Sequence, residues 1–123
     1  MFNPNPVGWF EIAVTDLSRA RHFYHQVLGV EFHLMEMPGC SMACFPFDHD
    51  KAGSSGALVQ GEGYEPSQSG TLIYFEVESI DSALERISHA GGKVLQSKMS
   101  IGEHGFIAMF TDSEDNKVAL HSR

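Results

Sequence analysis

The segment from Trp9 to Phe32, WFEIAVTDLSRARHFYHQVLGVEF, returns in degraded form from Leu72 to Leu95, LIYFEVESIDSALERISHAGGKVL, and this internal repeat constrains the fold more than any other feature. Trp9 falls on Leu72, an offset of 63 residues, and no gap is needed: Val14 meets Val77, Ala20 meets Ala83 and Gly29 meets Gly92. In each copy an apolar alternation of period two (Phe10, Ile12, Val14; Ile73, Phe75, Val77) gives way to helical spacing (Leu17, Ala20, Tyr24, Val27, Leu28; Ile80, Ala83, Leu84, Ile87, Ala90). The repeated unit is therefore strand, helix, strand. Asp16 and Ser79 stand where a side-chain oxygen accepts the first free N–H groups of a helix, and Gly29 and Gly91 can adopt the left-handed conformation that ends one.

Beyond the first unit, Val30 to Met37 and Ser41 to Asp48 read as strands of a hairpin turned at Pro38-Gly39. The polar, glycine-rich run Asp48 to Gly56 reads as a surface loop before a short strand, Ala57 to Gln60, and Gly61 to Gly70 links the two copies. The second copy repeats the order: strand Thr71 to Glu78, helix Ile80 to Ala90, strand Lys93 to Met99, then Gly105 to Asp112 and Lys117 to His121 joined across Ser113 to Asn116. One helix per four strands covers only one face of a sheet, so the other face must curl around something or meet its twin. The expectation is an α+β fold of two βαβββ modules in tandem, about 7–62 and 70–123 of a single domain spanning 1–123. Its eight strands curl around a cavity with two helices outside, and function is sought on the concave face.

Composition excludes several classes. With 123 residues, 42% hydrophobic and 20% charged, the chain suits one compact soluble unit, and no apolar run approaches the ~20 residues that span a bilayer. Its start, MFNPNPVGW, has neither the basic nor the apolar segment of a secretory signal, so a cytoplasmic location is expected. A formal charge of −8 repels phosphate backbones and anionic membrane surfaces, so neither nucleic acid nor membrane is an expected partner. Cys40 and Cys44 share one face of a strand but would stand about 13 Å apart when extended, so they are read as buried free thiols rather than a disulfide.

The strand Phe10 to Val14 running into Thr15-Asp16-Leu17, then Ala20, Phe23-Tyr24 and Leu28-Gly29, together with Phe106 to Phe110 followed by Thr111-Asp112-Ser113-Glu114-Asp115-Asn116, resembles the vicinal oxygen chelate superfamily. That superfamily includes glyoxalase I, bleomycin-resistance proteins and extradiol dioxygenases, and it pairs two βαβββ modules. The terminal turn departs locally, with Ser113 and Asp115 where Pro and Gly are usual. The resemblance implies metal ligands on the first, fourth, fifth and eighth strands. Matching the motifs puts Trp9, Leu72 and Ala119 at three of those positions, with Leu58 or Gln60 on the fourth strand. A lone glutamine amide falls short of what a divalent ion needs, so the expectation is no metal and no cofactor. Family habit implies a homodimer around a small organic ligand.

Strand parity points Trp9, Glu11 and Ala13, and in the second copy Leu72, Tyr74 and Glu76, away from the helices. A carboxylate beside Trp and Tyr in a partly dry cleft has its charged form disfavoured, which suits general acid or base chemistry. Glu11 is the first candidate and Glu76 the second; solvation or pairing with Lys or Arg would equally account for both. Ligand-lining candidates are Trp9, Gln60, Leu72, Tyr74 and Ala119, with His104 at a glycine-flanked strand mouth and His121 sharing parity with Ala119. Three function classes follow: metal-independent binding of a small organic molecule, a glyoxalase I-like lyase or isomerase using Glu11 as base, and a sequestering resistance protein.

Overall fold

The computed structural model describes residues 4–123. The elements are β1 (Trp9–Ala13), α1 (Leu17–Leu28), β2 (His33–Met37), β3 (Cys40–Cys44), β4 (Ser55–Gly61), β5 (Tyr74–Glu76), α2 (Ile80–His89), β6 (Lys93–Ser100), a single 3-10 turn (Gly102–His104), β7 (Phe106–Thr111) and β8 (Lys117–Ser122). The strands form two four-stranded sheets ordered β1-β4-β3-β2 and β5-β8-β7-β6, so the second module repeats the topology of the first. In each, the first strand runs parallel to the fourth and the hairpin strands are antiparallel. This is the expected α+β arrangement of two βαβββ modules. Among the described residues the two sheets do not close into a barrel.

Local chemistry places the borders. Asp16 accepts from the Arg19 amide at 3.0 Å and Ser79 from the Ser82 amide at 3.2 Å, starting α1 and α2. Gly29, at φ 72°, ends α1 in the left-handed conformation. β3 stops at Cys44 rather than running on to Asp48: Phe45 still donates to the Gly56 carbonyl at 2.9 Å, but Pro46 has no N–H to continue the ladder. β5 spans three residues instead of the eight expected, and among the described residues β8 is its one ladder partner.

Parity holds in both sheets. Ile12, Leu58 and Ala43 stand side by side across β1, β4 and β3 and are buried, as are Leu120 and Ala108 next to Phe75 in the second sheet. These faces receive the helices in one buried cluster drawn from both modules. At its centre the Phe45 ring lies between 4.8 and 6.0 Å from the rings of Phe10, Tyr24, Phe32 and Phe75. β4 passes so close to β1 that a side chain on Gly56 would collide with the Phe10 carbonyl and ring.

One seam between the modules is closed by the β7–β8 turn. The Glu114 side chain is fully buried and accepts from the Thr15 amide (3.0 Å), the Asp16 amide (2.8 Å) and two guanidinium nitrogens of Arg19 (2.7 and 2.8 Å). The Asn116 amide donates to the Ala13 carbonyl at 2.8 Å. Burial alone would raise the Glu114 pKa, but the Arg19, Asp16 and Ser113 donors outweigh it and hold it at about 2. Within the turn, Asp112 accepts from the amides of Glu114 and Asn116, both at 2.9 Å, and from the Tyr24 hydroxyl at 2.5 Å. Asp115 occupies the left-handed region at φ 68°, so the residue standing in place of the usual glycine adopts a glycine's conformation. Asp and Asn tolerate that region better than other side chains, which keeps the turn's shape despite the departure.

Candidate functional site

The face of each sheet turned away from the helices carries the residues that parity assigns to it. On the first, Trp9 is 49% exposed and its indole N–H donates to Glu11 at 3.3 Å. Tyr64, from the linker, comes close enough that the Glu11 carboxylate raises the pKa of its phenol, with burial and Cys40 adding to the effect. Sequence reasoning missed Tyr64 because it lies 53 residues beyond Glu11 in a stretch without periodicity. Glu11 is exposed in the single chain, so the dry surroundings anticipated for it are absent there. Cys40 and Cys44 are free and half-buried.

On the second sheet, the parallel register sets Tyr74 beside Ala119 and Glu76 beside His121. Ala119 is fully buried and Tyr74 is 45% exposed. His121 Nδ1 lies 2.6 Å from Glu76 Oε1, and Nε2 lies 2.7 Å from the His104 carbonyl oxygen. Three predicted site residues thus meet at one point, His104 through its backbone and not its ring. The His104 ring is largely exposed, 3.8 Å from Glu103. Among the described residues no hydrogen bond joins this group to the Trp9–Glu11 pair.

Gln60 is placed differently. Register puts it level with Ser41 and on the side of Leu58, the helix face, and its Oε1 accepts from the Leu17 amide at 2.8 Å. It serves the start of α1, because a free backbone N–H there is a stronger claim on an amide oxygen than open solvent.

Between the modules, where the edge strands β1 and β5 diverge, lies a cleft of about 1040 Å³. Phe10, Phe45, Leu72, Tyr74, Phe75 and Glu76 contribute to its wall, with Val30 and Leu28 toward the helices and Ser79, Ser82 and Arg86 at the start of α2. It occupies the seam opposite the one closed by Glu114. Of the predicted residues, Leu72, Tyr74 and Glu76 line it, whereas Trp9 and Glu11 stand outside.

The donor set does not fit a divalent ion. Trp9, Leu72 and Ala119 have no ligating atom, and the Gln60 oxygen is committed to Leu17. Among the described residues no group of three or more His, Cys, Asp or Glu side chains is arranged to hold a metal.

The family model described as Glyoxalase/Bleomycin resistance protein/Dioxygenase superfamily matches residues 7–120. A "Glyoxylase-like domain-containing protein" of Didymella fabae is 29% identical over 95% of this chain and 93% of its own length. "Putative glyoxylase CFP32" of Mycobacterium tuberculosis is 26% identical over 92% of this chain but only 44% of its own length. Among solved structures, glyoxalase I from Zea mays superposes with a TM-score of 0.75 at 21% identity, covering 95% of this chain and 46% of that one. TnmS3, an antibiotic binding protein from Streptomyces sp. CB03234, does so with a TM-score of 0.72 at 21% identity, covering 94% and 93%. The likeness to the two solved structures is one of fold.

Proposed function

Because the chain belongs to the glyoxalase/bleomycin resistance protein/dioxygenase superfamily, we propose that it binds a small organic molecule without a metal ion, in the cleft between β1 and β5. The observation that carries this reading is the wall itself: a space of about 1040 Å³ bordered by the aromatic residues Phe10, Phe45, Tyr74 and Phe75, with the acidic Glu76 among them. A volume of that order takes a drug-sized molecule, and aromatic walls with a few polar groups favour a flat apolar body bearing one hydrogen-bonding or cationic substituent. The protein would act as a homodimer. Trp9, Met35 and Met37, exposed at 49%, 42% and 47%, lie on the helix-free face of the first sheet, an apolar surface of the kind that a second copy covers.

The test uses the neutral fluorophore N-phenyl-1-naphthylamine and protein purified without chelators. Saturable binding at about one site per chain is expected, weakened about tenfold or more in Leu72→Trp, whose added bulk enters the cleft from a half-buried residue outside the packed core. About one tightly held metal ion per chain, or dye binding indifferent to Leu72→Trp, would defeat the reading. Sedimentation at micromolar concentration is expected to give a dimer, and a monomer would remove that part.

The hydrogen bond that orients the Glu11 carboxylate through Trp9 favours a second reading, a lyase or isomerase in which Glu11 removes a proton beside a carbonyl. Product formation from a bound compound, as against stoichiometric capture, separates the two.

A further inference from the structure

We propose that His121 is a pH-sensitive latch: as an imidazolium it ties the edge strand β5 to the β6–β7 connection and pins the side chain of Glu76, a residue of the cleft wall. The geometry requires two donors. Nδ1 faces Glu76 Oε1 at 2.6 Å and Nε2 faces the His104 carbonyl oxygen at 2.7 Å. A carboxylate and a carbonyl only accept, and a neutral imidazole has a single N–H, so both bonds form together only in the doubly protonated ring.

The fold builds this seat from three elements. Register sets Glu76 on β5 directly beside His121 on β8. The 3-10 turn Gly102–His104 is closed by bonds from the Ile101 amide to the Gly105 carbonyl (2.9 Å) and from the Gly105 amide to the Gly102 carbonyl (3.2 Å). Gly105, at φ 106°, passes so near the Ser122 carbonyl that any side chain would collide with it, and this close approach accompanies the placing of the His104 oxygen at Nε2.

The charges around the ring are few. Glu76 faces it from β5, the neighbouring residue on β7 is the apolar Ile107, and Arg123, just past the end of β8, opposes protonation. The His104 carbonyl first and Glu76 second raise the His121 pKa above its ordinary 6.5. A raised folded-state value means that the latch is fully closed below 6.5 and is released as pH climbs through the higher folded value. Neutral His121 leaves one lone pair facing an acceptor, so one tie breaks. Whichever tie is kept, Glu76, a residue of the cleft wall, loses its countercharge, a consequence for ligand charge that rests on the cleft reading above.

Proton-detected nitrogen NMR of the whole protein at about pH 6 is expected to show both His121 ring nitrogens protonated. In Glu76→Gln, at a mostly exposed side chain that leaves the fold intact, His121 is expected to bind its proton about tenfold more weakly. Amide exchange at Ile101 and Gly105, corrected for its intrinsic pH dependence, should quicken by about fivefold as the wild type passes its midpoint, and should already be fast in Glu76→Gln. A neutral ring at about pH 6, or a midpoint indifferent to Glu76→Gln, would overturn the latch. Loss of N-phenyl-1-naphthylamine binding with the doubly protonated ring intact would sink only the cleft reading.

Discussion

Glu114→Ala is expected to lower the unfolding free energy by about 2–4 kcal/mol, read as a reduced urea midpoint with an unchanged slope. The carboxylate closes one seam between the modules, gripping two backbone amides of the β1–α1 turn and an arginine in the first turn of α1. Its removal leaves those donors facing an apolar methyl, and water reaches them only by parting the seam. Arg19 is itself 54% exposed and recovers part of its hydration, which keeps the loss below that of a wholly buried pair. A loss under about 1 kcal/mol would show that the turn docks by shape and not by this carboxylate.

The same residue sets an acid limit. Its folded-state pKa of about 2 lies below the ordinary 4.5, so its contribution is fully present above 4.5 and disappears as pH falls toward 2. Glu114→Gln keeps the shape and some of the bonds without the charge. Its stability should therefore be lower than that of the wild type at neutral pH and should fall less steeply between those two values.

Phe45→Ala should cost about 3–5 kcal/mol, through lost transfer energy and through the cavity left among four rings. Phe45 follows the last residue of β3, is 8% exposed, and touches aromatic side chains from β1, α1, the α1–β2 connection and β5. Phe10, Tyr24 and Phe75 cannot move into the space without leaving their own strand or helix. Phe45→Leu, which retains most of the volume, should recover more than half of the loss. If alanine costs under about 2 kcal/mol, the ring cluster is looser than its packing indicates.

How far the sequence reaches can be judged at particular residues. Asp16, Ser79 and Gly29 cap their helices because capping depends on a few neighbouring backbone groups and on φ, whereas α2 closes at Ala90 (φ −89°) and the left-handed Gly91 follows one residue later. The placement of Ile12 toward the helices and Glu11 away from them follows from the alternation of a strand, which is just as local. The repeat then multiplies those local signals into two modules of the same topology. Gln60 escapes this logic. Its strand was legible, but its register was not, and one residue of slip moves a side chain from a cleft to a helix terminus.

Period, capping chemistry and duplication are short-range properties, and from them the chain's own letters determined the α+β class, the two βαβββ modules, the face that each strand turns to its helix and the absence of ligating atoms at Trp9, Leu72 and Ala119. Tertiary structure alone decided that Glu76 meets His121 across 45 residues, that Tyr64 comes to Glu11, that Glu114 closes one seam, and that the opposite seam opens into a cleft. Such pairings depend on which strand lies beside which and on how two sheets share a core. Both are settled by the burial of whole faces at once, a sum over distant residues that no window of the sequence contains.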